Sequence, residues 1–146
     1  GTYLFGLSFA FGAFVAGMNA GLAYNTWPLM DGEVVPQGLW SMTPVWINLF
    51  ENPLTVQFLH RWIAQVTVVL ILLASIWILM SKPNKGLKVA TIHMIVMAIL
   101  QLMLGIKVLL LGVPIWLGAA HQAGAFLLLA CVLWALRKTA TVRTGI

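Results

Sequence analysis

The run TVQFLHRWIAQVTVVLILLASIWILM, residues 55–80, decides what kind of protein this is. Arg61 is its one fixed charge, and it is longer than the ~20 residues an α-helix needs to cross a ~30 Å hydrocarbon core. Three further apolar stretches flank it, Tyr3–Met18, Leu87–Leu111 and Ile115–Leu136. A soluble domain, the ordinary reading of 146 residues, is excluded by 62% hydrophobic and 8% charged residues. Mean hydropathy is +1.00. The pattern predicts an all-α polytopic membrane protein, a single four-transmembrane-helix bundle over residues 1–146. The first stretch is marginal in length. It lacks the charged start and cleavage site of a signal peptide. The chain opens on Gly1 without a methionine, so a piece of a longer polypeptide is expected.

Charge sets the expected orientation. Asp31, Glu33 and Glu51 lie in the long connection at about 19–54, which has no Lys or Arg. Lys82, Lys85 and Lys88 crowd the second connection, and Arg137, Lys138 and Arg143 the C-terminal tail. Basic segments stay on the cytoplasmic side. Both termini and the 81–88 loop are therefore expected inside, with the 19–54 and 112–114 loops outside. The formal net charge of +5 is thus a topology signal, with membrane lipid and no nucleic acid as the partner it implies. Cys131 is a lone thiol within a span and reads as a small packing residue.

Ala13, Gly17 and Gly21 recur every fourth residue at the end of the first stretch, a spacing that lets helix backbones approach closely. The outer loop holds NTWPLMDG and TPVWINLF, with Trp27, Trp40 and Trp46 suited to the membrane–water boundary. Two readings of the loop stand level, interfacial filler and a lid or docking surface over the outer end of the bundle.

Asn52-Pro53 is a helix start, Asn as N-cap and Pro at the first helical position. Val113-Pro114 resembles it. Seven residues separate Pro53 from His60 and also Pro114 from His121. Both helices run from the same side, so each imidazole should lie about 10 Å below its helix start at 1.5 Å per residue. Two imidazoles at matched depth on parallel helices can face each other.

A histidine in the apolar part of a bilayer is costly and normally faces the bundle interior with a partner. A hydrogen bond to a neighbouring helix is one solution. Zinc or copper would want further Cys, His or acidic ligands at the same level, and Cys131 lies about 15 Å deeper than His121. A haem needs only one axial ligand above and one below its ring. Around His121 the same helix face carries Gly118, Gly124 and Ala125, the lack of bulk that a flat macrocycle requires. His60 is less bare, among Val56, Gln57, Ile63 and Ala64. Arg61 points about 100° away from His60, placed either to bind a haem propionate or to snorkel. Lys107 is a second propionate candidate for which snorkelling is the simpler reading. His93 lies near the opposite face and reads as structural.

The segments GAFVAGMNAGLAYNTWPLMDG at 12–32, NLFENPLTVQFLHRW at 48–62 and LGIKVLLLGVPIWLGAAHQAGA at 104–125 resemble the haem A synthase family. The resemblance covers nearly the whole chain and is nearest the alphaproteobacterial and mitochondrial branch. It implies an eight-span enzyme of two similar four-helix halves, which oxidises the methyl group of haem O to the formyl group of haem A for cytochrome oxidase. This chain resembles the second half. There the resemblance implies a haem b cofactor on His60 and His121, with no catalytic residue of its own in this half. A glutamate precedes the HR histidine by three residues in the family's first half; Gln57 occupies that position here. The implied setting is a bacterial inner membrane. The implied partners are the missing N-terminal half or a second copy, with haem O and haem O synthase nearby. Alone, the piece is expected not to make haem A. The rival reading is a stand-alone membrane electron-transfer cytochrome b.

Overall fold

The computed structural model describes the backbone of residues 2–144 and the side chains of residues 3–140. Within them the chain is helical: α1 (Thr2–Gly17), the four-residue α2 (Asn48–Glu51), α3 (Pro53–Met80), α4 (Lys85–Leu110) and α5 (Ile115–Thr144). The one β-type pairing is an isolated bridge between Met30 and Glu33. Three helices are long and apolar enough to cross a membrane, Pro53–Met80, Lys85–Leu110 and Ile115–Ala140. The fourth expected crossing, α1, is a shorter apolar helix of 16 residues, ~24 Å at 1.5 Å per residue.

The helix starts follow from local chemistry. Asn52 caps α3 by accepting from the backbone N–H groups of Leu54 and Thr55, with Pro53 in the first turn, as its sequence predicted. Asn84 caps α4 through Leu87 N–H. The start of α5 is different. Pro114 sits just ahead of Ile115, and its carbonyl accepts from Leu117 and Gly118. Val113 does not act as a cap; its φ of 55° turns the chain sharply instead.

Around the bundle α1 packs on α3, α3 on α4 and α4 on α5, while α1 and α5 touch sparingly. That order puts α3 and α5 on a diagonal. In the half away from the long loop, Phe5, Val68, Ala98 and Leu128, one from each long helix, form an apolar core. Ala90, Met94 and Ala135 extend it between α4 and α5, with Cys131 packed alongside as expected. Thr67, Ser75 and Thr91 are buried, and each hydroxyl donates to the carbonyl four residues earlier (2.7, 2.7 and 2.8 Å). Each helix thereby satisfies its own polar groups, as a lipid environment requires. The outward faces are apolar: Leu73, Trp77, Leu100 and Leu127 are all exposed.

The long loop is folded rather than loose. Asn48 is fully buried. Its amide donates to the carbonyls of Met42 (2.9 Å) and Val45 (2.8 Å), and its oxygen accepts from Met42 N–H (3.0 Å) and from the Asn52 amide (2.9 Å). The two asparagines of the NLFEN run therefore tie the loop to the start of α3.

Candidate functional site

Above the apolar core, in the half nearest the long loop, the four long helices stand around a cavity of about 480 Å³. This lies within the size range of small-molecule and cofactor sites, about 300–1,000 Å³. His60 on α3 and His121 on α5 both line it, as do Arg61 and Gln57. The diagonal placement of α3 and α5 is what keeps the imidazoles apart with space between them. Each lies seven residues past its proline, Pro53 or Pro114.

Each ring lies against a glycine of a neighbouring helix. A Cβ at Gly12 of α1 would stand 3.1 Å from His60 Cε1, and a Cβ at Gly105 of α4 would stand 2.9 Å from His121 Cε1. Neither glycine signalled this role in the sequence. The small-residue series at Ala13, Gly17 and Gly21 was expected to let helix backbones approach; Ala13 and Gly21 border the cavity, and Gly17 has nothing near its Cβ position. Gly21 receives the Val113 side chain, 2.7 Å from where a Cβ would be, so it seats the α4–α5 turn. Of the small residues around His121, Gly118 and Ala125 line the cavity, whereas Gly124 makes room for the Gln101 amide.

His60 Nδ1 lies 3.2 Å from the Ser8 carbonyl of α1. A carbonyl only accepts, so Nδ1 carries the proton and the Nε2 lone pair is left free. His121 is held differently. Gln101 of α4 donates to its backbone carbonyl at 2.7 Å, and its ring Nδ1 is buried with no hydrogen-bond partner. The site can therefore offer a nitrogen donor from each of two opposite walls. Among the described residues no three of His, Cys, Asp and Glu come together.

Arg61 is half-buried. Its two terminal nitrogens donate to the carbonyls of Thr26 (2.9 Å) and Tyr24 (2.6 Å), and its Nε is buried without a partner. Gln57, 2% exposed, donates to the same Tyr24 carbonyl at 3.0 Å and leaves its own Oε1 unpartnered. Together they fasten the loop across the cavity mouth, where Trp27 joins the lining. Lys107 is exposed and outside the lining. His93 is also outside it; its Nδ1 pairs with Val89 O (2.9 Å) and its ring meets Trp134 edge-on at 5.5 Å.

Fold and site define an all-helical integral membrane protein with two histidines set across one bundle cavity. Residues 1–133 match the family of cytochrome oxidase assembly proteins, COX15-CtaA, and the chain belongs to that family. Its relatives include proteins named heme A synthase from Bartonella bacilliformis, 46% identical over 82% of this chain and 33% of the relative. Others of that name come from Sinorhizobium medicae, at 49% over 81% and 32%, and Rhodospirillum centenum, at 44% over 91% and 36%. The chain thus spans about one third of the length of these curated relatives. No solved structure matches it.

Proposed function

We propose that this chain is the haem b-carrying part of a haem A synthase, with His60 and His121 as the axial iron ligands. The observation that carries the reading is the pair of imidazoles lining one cavity from diagonal helices, each with a glycine beside its ring. The residues fit the group. Ser8 fixes His60 in the tautomer that leaves Nε2 for iron, since a metal-bound histidine typically donates its other ring N–H to a carbonyl or carboxylate. The orphaned Nδ1 of His121 leaves that ring uncommitted to the protein. The unpartnered Nε of Arg61 is a donor left for a propionate, while Lys107 lies too far round its helix to serve.

His60 and His121 would hold the group, and a haem held by two histidines would supply single-electron transfer rather than oxygen activation. The protein's part is to hold the rings level, exclude water with the apolar walls and keep the mouth covered. Haem O methyl oxidation to the formyl of haem A belongs to the parent enzyme. Its other half, or a second copy, would complete the reaction, with haem O arriving from its synthase. By itself this chain makes no haem A. The setting we assign is a bacterial inner membrane, crossed four times, with α1 included and both termini cytoplasmic. A cytochrome b of stacked haems would call for four histidines around the cavity, and two line it.

The test is a reduced-minus-oxidised spectrum of protein purified from haem-replete cells. A b-type band, lost in His60→Ala and in His121→Ala, is expected; absence of haem from the unaltered protein refutes the reading. Co-expression with the remaining two thirds of a relative should restore haem A formation. A haem-bearing chain that never does so would instead be a stand-alone cytochrome.

A further inference from the structure

The cavity has several sides, and they are not equally closed. The end away from the long loop is plugged by Phe5, Val68, Ala98 and Leu128. The opposite end is strapped: Arg61 and Gln57 hold Tyr24 and Thr26 from α3, and the Asn25 amide donates to Leu109 O of α4 at 2.9 Å and to Gly21 O at 2.6 Å. Three of the four lateral seams are packed. The fourth, between α1 and α5, is sparse. There, among the described residues, one aromatic pair bridges the gap, Phe9 of α1 against Phe126 of α5, with ring centroids 4.7 Å apart and planes at 63°. Both rings line the cavity, and Phe126 is 61% exposed. The pair thus sits where the cavity meets the thinly packed α1–α5 seam.

We propose that the α1–α5 seam is a lateral gate through which a flat, largely apolar macrocycle passes between the bilayer and the cavity, with Phe9 and Phe126 as its latch. The proposal rests on the macrocycle reading above. Opening this seam breaks no hydrogen bond shown between α1 and α5, since the paired rings are apolar and swing on side-chain torsions. Opening the strapped end would break several hydrogen bonds, four of them part-buried, and leave the half-buried Arg61 guanidinium with fewer partners, which is costly where water is scarce. A macrocycle that partitions into lipid also meets the seam directly, without crossing the polar loop.

The test uses the 146-residue chain, freed of bound haem and reconstituted in bilayer discs, with Cys131→Ala, Phe9→Cys and Phe126→Cys combined. A short bifunctional thiol reagent closes the seam, and closure is verified by mass. Uptake of haemin is followed by absorbance, and uptake of metal-free protoporphyrin, which needs no axial ligand, by fluorescence. Closure should slow both at least tenfold. It should also slow the loss of haem bound beforehand by a similar factor. Asn25→Ala, which loosens the strap without touching the cavity lining, should leave uptake within twofold. Unchanged uptake after verified closure, or a several-fold acceleration by Asn25→Ala alone, overturns the gate. Should the open triple variant and the unaltered chain take up neither ligand, the macrocycle reading falls and the gate with it. Should they take up both while closure has no effect, the gate alone falls.

Discussion

Gly105→Ala isolates the contact on which the paired-histidine site depends. The added methyl would stand 2.9 Å from His121 Cε1, 3.4 Å from Nε2 and 3.5 Å from Nδ1. Carbon atoms in comfortable contact lie about 3.5–4.0 Å apart, so the ring must retreat by about 0.6–1 Å. Retreat is hard, because Gln101 holds the backbone carbonyl of His121 at 2.7 Å and α4 packs closely on α5. Overpacking of this kind costs about 1–3 kcal/mol. That exceeds the gain of up to ~1 kcal/mol that alanine brings over glycine in a helix interior. A shifted ligand ring should weaken haem binding by about 10–100-fold, the usual effect of disturbing the groups that orient a metal ligand. Gly12→Ala, at 3.1 Å from His60 Cε1, should do the same more mildly, and Gly6→Ala, with nothing within 4 Å, should do nothing. The assay is haem titration into the stripped protein, with low-temperature electron paramagnetic resonance to report the geometry of the two axial rings. Haem affinity and resonance positions in Gly105→Ala indistinguishable from those of Gly6→Ala would refute the reasoning.

Three other expectations concern the frame around the site. Gln57→Glu removes the amide that donates to Tyr24 O and sets a carboxylate near Arg61, so the strap should loosen by about 1–3 kcal/mol; faster amide exchange or proteolysis within residues 24–31 is the readout, and unaltered protection would count against it. Asn52→Ala deletes a cap serving both Leu54 and Thr55 and a side-chain link to Asn48, which should cost about 1–2 kcal/mol, visible as a lowered Tm with the haem spectrum kept in the folded fraction. Lys107→Gln should leave haem affinity within twofold, because Lys107 lies outside the cavity lining; a tenfold loss would restore it as a propionate partner.

Much of this was legible in the chain itself. Long apolar runs have one good solution in lipid, the helix, so Pro53–Met80 and Lys85–Leu110 lie within two residues of the runs that foretold them. The Asn52-Pro53 start was equally plain, because a cap is a matter of neighbouring residues. That His60 and His121, each seven residues past a proline, line one cavity accords with their spacing, since position along a helix is arithmetic on sequence position. What lay outside the sequence was register between helices. That Gly12 meets His60, Gly105 meets His121 and Gly124 meets Gln101 depends on how four cylinders rotate and slide against one another, which no single helix encodes. For the same reason Arg61 was expected at an anion or at the interface, whereas both terminal nitrogens hold the backbone of a loop 35 and 37 residues away. Composition and spacing thus determined that there would be membrane helices carrying two histidines at equal offsets from their prolines. Packing alone decided that those imidazoles would stand across a diagonal with room between them, under a fastened loop and beside a loosely closed seam.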